Sequence, residues 1–158
     1  MKKVILCLFF LYCLILAEIL FGGRTADPSM NSWKYILSYS NVCPFATVGR
    51  YISFFLRHGD CESFCLAMVN IGGNFILFMP MGIFLPVLFP FLRHFRQAFF
   101  VILLLVLLSE FFQGFFRIGI PDIDDLLVNM SGACVGILVG RNFSETCHRK
   151  PFVRIHFD

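Results

Sequence analysis

Ten residues in this sequence stand out as able to do chemistry. Ser109, Glu110, Gln113 and Arg117 follow one another at steps of one, three and four, which on a helix places Glu110, Gln113 and Arg117 on one face. Asn70 and Asn74, four apart, stack in the same way, and Asp125 and Asn129 open a stripe that runs on through Gly132, Gly136 and Gly140. Asp122, Asp124, Asp125 and Glu110 put four carboxylates close in sequence, with Arg117 the nearest cation in that stretch. Carboxylates crowded in this way invite a cation, a proton or a basic ligand, and an arginine beside them can take a phosphate. A pair such as Glu110 and Asp125 could also serve as acid and base, or as ligands to a divalent metal. A nucleophile with a partnered base is missing, because Ser109 has no neighbouring histidine and His58, His94, His148 and His156 lie outside the polar stripes. Glu110 and Arg117 are expected to belong to one functional network, bridged by Gln113 and closed by Asp124 or Asp125 from the next helix. The plainer alternative is structural: amides and hydroxyls that bond neighbouring helices, a simple Glu110–Arg117 pair, and a solvated Asp122.

The elements that must position these groups are apolar runs over 4–21, 64–91, 98–116 and about 126–140. The first three are long enough to cross a membrane; the fourth is short for a span unless the acids before it lie at membrane depth inside the protein. Pro80, Gly82 and Pro86 are expected to kink the second. The first run follows Lys2 and Lys3 and lacks a persuasive cleavage site, so it reads as a retained signal-anchor. Glycines at steps of four on the last run allow a neighbouring backbone to approach, so Gly136→Leu should disrupt packing and Gly136→Ala should be mild.

With 58% of its 158 residues hydrophobic and only 15% charged, the chain cannot cover a soluble globule of its size. The fold class is therefore an all-α integral membrane bundle of about four transmembrane helices, a single domain over 1–158. The net charge of +3 is scattered, which argues against a nucleic-acid partner. Lys2, Lys3, Arg93, Arg96, Arg141, Arg149, Lys150 and Arg154 fall on one side and outnumber Arg24, Lys34, Arg50, Arg57 and Arg117 on the other. The positive-inside rule then puts both termini in the cytoplasm, the segment 22–63 outside, and all three polar stripes in the outer half of the bilayer. That external segment is rich in aromatics and should be structured; 51–56 reads equally as an amphipathic interfacial stretch or a loop with belt aromatics. Cys43 and Cys61 could be joined in an oxidising exterior, although the total of seven cysteines is odd. His58, Cys61 and Cys65 lack a fourth ligand at metal-binding spacing, so neither metal nor cofactor is expected.

Four segments resemble the VanZ-like membrane protein family. They are Asn41 to Thr47 with Pro44 and Phe45, the helix Asn74 to Gly82 with Phe78 and Pro80, the Ser109-Glu110 stripe with Gln113 and Arg117, and Asp122 to Gly132 with Asp124, Asp125 and Asn129. Together they cover about 41–140, and their order is more specific than any one of them. Ala46 departs from the pattern, and the tail after Arg141 has no counterpart. The resemblance implies a multi-pass protein of the cell envelope, in a family whose founding member is associated with low-level resistance to the glycopeptide teicoplanin. The resulting expectation is an outer polar cluster that engages membrane lipid or a lipid-linked or peptidoglycan-related ligand. A membrane-embedded carboxylate- or metal-dependent enzyme acting on a lipid-linked substrate is the alternative. A carrier is disfavoured by the short chain without paired repeats.

Overall fold

The structure, a computed structural model, describes residues 2–59 and 61–148. The chain runs through α1 (Lys2–Phe21), α2 (Ser32–Tyr39), α3 (Ala46–His58), α4 (Cys61–Leu88), a 3-10 turn (Pro90–Arg93), α5 (Phe95–Phe115) and α6 (Ile123–His148). Four of these helices, α1, α4 over 67–88, α5 and α6 over 123–144, are long and apolar enough to cross a membrane. The protein is thus an all-helical membrane bundle, with α2 and α3 forming the structured connection between the first two spans. Among the described residues the only β-type pairing is an isolated parallel bridge between Asn41 and Asp122.

The last span differs from the short run expected. It begins at Ile123, carries Asp124 and Asp125 in its first turn and continues past Arg141, so 22 residues cross about 33 Å. The acids lie within the span because protein groups, described below, satisfy them. Both Pro80 and Pro86 are carried inside α4, which ends at Leu88 where Pro90 starts the 3-10 turn.

A membrane helix is apolar all round, so its inward face is chosen by size and shape rather than by hydrophobicity. On α5 that face is Ala98, Ile102 and Val106, all fully buried, continuing into Ser109 and Gln113. It meets Phe78, Met81 and Leu85 of α4 and Met130, Ala133 and Ile137 of α6. Residues such as Phe100, Leu104, Ile76 and Leu138 point outward, where acyl chains are the solvent.

Helices α4 and α6 pack backbone to backbone. A Cβ added at Gly132 would overlap the Phe75 carbonyl oxygen, one at Gly136 that of Met79, and one at Gly140 would come within 2.6 Å of that of Ile83. Phe75, Met79 and Ile83 are themselves four apart, so two matched rows face each other. On the α4 side Gly82 is equally confined, its added Cβ overlapping the Ala133 carbonyl. By contrast α1 is held lightly: Leu16 is its one buried residue, and the Tyr12 hydroxyl donates to the Leu77 carbonyl at 2.8 Å with its ring against Phe84.

The connection between α1 and α4 is pinned to the bundle by specific contacts. Asn31 caps α2 by accepting from the Lys34 amide at 2.8 Å, and Trp33 packs on Phe111 and Phe115 of α5. Helix α3 spans 46–58, wider than the 51–56 stretch foreseen, and presents Ile52, Phe54 and Leu56 outward. Cys43 is an exposed free thiol, while the side chains of Cys61 and His58, needed for the disulfide and metal readings, lie outside the described residues.

Candidate functional site

Helices α1 and α5 finish, and α4 and α6 begin their spans, at one end of the bundle. Antiparallel packing therefore gathers Asn70 and Asn74, Glu110 and Gln113, and Asp125 and Asn129 around a cavity of about 880 Å³. The α2–α3 connection closes its other wall with Tyr39, Asn41, Thr47, Arg50 and Tyr51, and Arg24 enters from beyond α1.

Asp122 organises the wall. Its Oδ1 accepts from the Asn41 side-chain amide and the Asp124 backbone amide, both at 2.8 Å, and its Oδ2 accepts from the Thr47 hydroxyl at 2.6 Å. Arg50 in turn donates to the Thr47 hydroxyl oxygen at 2.7 Å. The backbone reinforces this, with the Asn41 amide donating to the Pro121 carbonyl and the Ile123 amide to that of Asn41. Asp122 is therefore a structural acceptor rather than a solvated loop residue.

Asp124 points away from the cavity. One carboxylate oxygen accepts from the Phe45 amide and the other from the amides of Thr47, at 2.8 Å, and Val48, at 3.3 Å. Phe45, at the N-cap of α3 with φ of 62°, offers no capping side chain of its own. Asp124 thus caps α3 from a distant part of the chain, matching a carboxylate to the positive end of that helix.

The remaining acids are less fully engaged. Glu110 Oε2 accepts from the Asp122 amide at 3.2 Å, and Asp125 Oδ1 accepts from the Asn74 side-chain amide at 2.9 Å. Gln113 donates to the Leu20 carbonyl at 2.9 Å, tying α5 to the end of α1. Asn129 is 3% exposed, lines the cavity, and its side-chain oxygen has no hydrogen-bond partner. A buried carbonyl without a donor is costly, and the cavity is where a donor can reach it.

Ser109 and Arg117 do not join this group. The Ser109 hydroxyl returns to the Val106 carbonyl of its own helix. Arg117 lies beyond the end of α5 with φ of 58°, its amide donating to Gly114 and that of Ile118 to Gln113. That is a helix-ending Schellman arrangement with arginine where glycine is usual. Helical spacing stops applying there, so the guanidinium turns away from Glu110 and donates to the Met30 carbonyl at 2.7 Å, while the Arg117 carbonyl accepts from the Asp27 amide. The Glu110–Gln113–Arg117 network expected from spacing is not formed; Arg117 anchors the loop before α2 instead.

The cations of the cavity are Arg24 and Arg50. Neither stands out in sequence, since both lie in a connection whose docking is set by long-range bonds; the one local signal is that Arg50 falls three residues after Thr47. Three carboxylates and two guanidinium groups thus face one space. Among the described residues no three His, Cys, Asp or Glu side chains converge to hold a metal ion.

A family model described as VanZ/LLP1 matches residues 8–144, which include every residue of the cavity. No curated protein and no solved structure matches the chain.

Proposed function

Since the chain belongs to the VanZ/LLP1 family, we propose that it acts at the cell envelope by holding the polar head of a lipid-linked or peptidoglycan-related ligand in the mixed-charge cavity. The observation carrying this reading is the meeting of Glu110 and Asp125 with Arg24, Arg50 and the unpartnered Asn129 oxygen in one space. An amine on the ligand would lie toward the carboxylates and the Asn129 carbonyl, and a phosphate toward the two arginines. Reduced susceptibility to teicoplanin is the cellular consequence tested. Glu110→Gln with Asp125→Asn, expressed at normal level, should abolish that protection and at least tenfold weaken retention of an aminophospholipid by the purified protein. Unchanged susceptibility and unchanged retention would defeat the proposal.

Orientation belongs to the same proposal. Lys2, Lys3, Arg93, Arg96 and Arg141 lie toward the end of the bundle remote from the cavity and Arg149, Lys150 and Arg154 follow them in sequence, against Arg24, Lys34, Arg50, Arg57 and Arg117 on the cavity side, so the positive-inside rule turns the cavity outward and both termini inward. A reporter placed within 93–96 and one after Asp158 should read cytoplasmic, and one near Pro28 external. Two contrary readings would place the cavity on the cytoplasmic side and remove its access to outer-leaflet ligands.

A further inference from the structure

We propose that the opposite end of the bundle carries a second binding site, for the phosphate of an anionic phospholipid, between the start of α5 and the later part of α6. His94, Phe95, Arg96, Gln97, Phe100 and Arg141 line an open groove of about 530 Å³ there. Its lining carries two guanidinium groups and an imidazole and, among the described residues, no carboxylate.

Arg141 follows Gly140, whose close approach to Ile83 of α4 fixes where the arginine leaves the helix. Its Nε is buried and has no hydrogen-bond partner. A buried guanidinium N–H without an acceptor loses its hydration for nothing, and a phosphate oxygen is the acceptor that suits it. Arg96, exposed on the first turn of α5, supplies a second positive charge on the same space. That turn contains no acidic residue and His94 gives it no capping side-chain bond, so the positive end of the helix adds to the field.

The apolar part of the site separates a lipid from free phosphate. Phe100, 60% exposed, lines the groove, and Leu104, 57% exposed, lies one turn deeper on the same stripe of α5. An acyl chain descending from a phosphate at Arg96 and Arg141 would run along that stripe. The site is independent of the mixed-charge cavity, since Arg96 and Glu110 are separated along α5 by about 21 Å of helix rise.

The test uses the full chain in detergent, equilibrated with equimolar phosphatidylglycerol and phosphatidylcholine of matched acyl chains, with bound lipid read by native mass spectrometry. Phosphatidylglycerol should be retained in preference. Arg96→Gln and Arg141→Gln should each lower that preference about fivefold, and Lys34→Gln at the other end should leave it unchanged. If Arg141→Gln does not yield monodisperse protein, the exposed Arg96→Gln decides. Equal retention of the two lipids, no effect of Arg96→Gln, or an equal effect of Lys34→Gln would overturn the proposal. So would displacement of the lipid by millimolar inorganic phosphate, since the site would then take the free anion.

Discussion

Gly136→Leu is expected to leave essentially no folded protein, and Gly136→Ala and Gly132→Ala to destabilise the bundle by about 1–3 kcal/mol each. The alanine expectation reverses what glycine spacing alone suggests. A methyl group at Gly136 would overlap the Met79 carbonyl oxygen and lie 3.0 Å from the Gly82 Cα, and one at Gly132 would overlap the Phe75 carbonyl. These obstacles are backbone and cannot rotate aside as a side chain would. Helices α4 and α6 would have to part, and the contacts of Phe78, Ala133 and Ile137 would open with them. Thermal unfolding in detergent, with recovery of the monodisperse peak, measures both effects. Val135→Leu, on the outward face of α6, is the control; a Gly136→Leu protein as stable as that control would show that the helices do not meet along this row.

Asp124→Ala should cost about 3 kcal/mol and release α3 from the bundle, because three amide donors lose one charged acceptor together. The donors are Phe45, Thr47 and Val48, and Asp124 itself is 4% exposed. Asp124→Asn keeps one acceptor oxygen but turns an amide group toward the donors on the other side, so it should lie between wild type and alanine. Limited proteolysis reports the local part of the effect: cleavage after Arg50 and Arg57 should quicken in the order wild type, asparagine, alanine. If cleavage there is unchanged while the whole protein loses stability, Asp124 serves the bundle and not the cap on α3. Because Thr47, Arg50 and Tyr51 form the cavity wall, the alanine variant should also weaken ligand retention although Asp124 does not face the ligand.

Much of this arrangement is legible in the sequence because helical periodicity and alternating spans are strong constraints. Asn74, Glu110, Asp125 and Asn129 meet for a topological reason: each lies in the half of its apolar span toward the same end of the bundle. What periodicity cannot convey is where a helix stops. Arg117 continues the spacing of Glu110 and Gln113, yet the left-handed residue after Phe116 ends α5 and sends the guanidinium to Met30. Nor can it convey tertiary capping. Asp124 and Asp125 look alike as neighbours in an acidic run, but a step of one residue turns them to different sides of α6, one to the amides of α3 and the other to Asn74. Spacing does not mark Arg24 and Arg50 as cavity residues for a related reason. Arg50 is placed by bonds between 41–50 and 121–125, and Arg24 by the contacts of 24–30 with Arg117 and Ile118, residues far apart in the chain.

The pairing of α4 with α6 also fixes an order of events during biosynthesis. The chain enters the membrane from its N-terminus, so α4 is inserted while its closest partner is still being made. Until the last span arrives, the carbonyls of Phe75, Met79 and Ile83 have no glycine row against them, and Asn74 lacks the carboxylate of Asp125. Helix α5 is made before α6, but the Asp122 amide that meets Glu110 and the Asp124 carboxylate that caps α3 are both synthesised only as the final span begins. The α2–α3 segment therefore waits for a cap delivered by the last helix. Translation arrest before α6 should yield inserted helices without a closed cavity, making closure of the cavity wait for that helix.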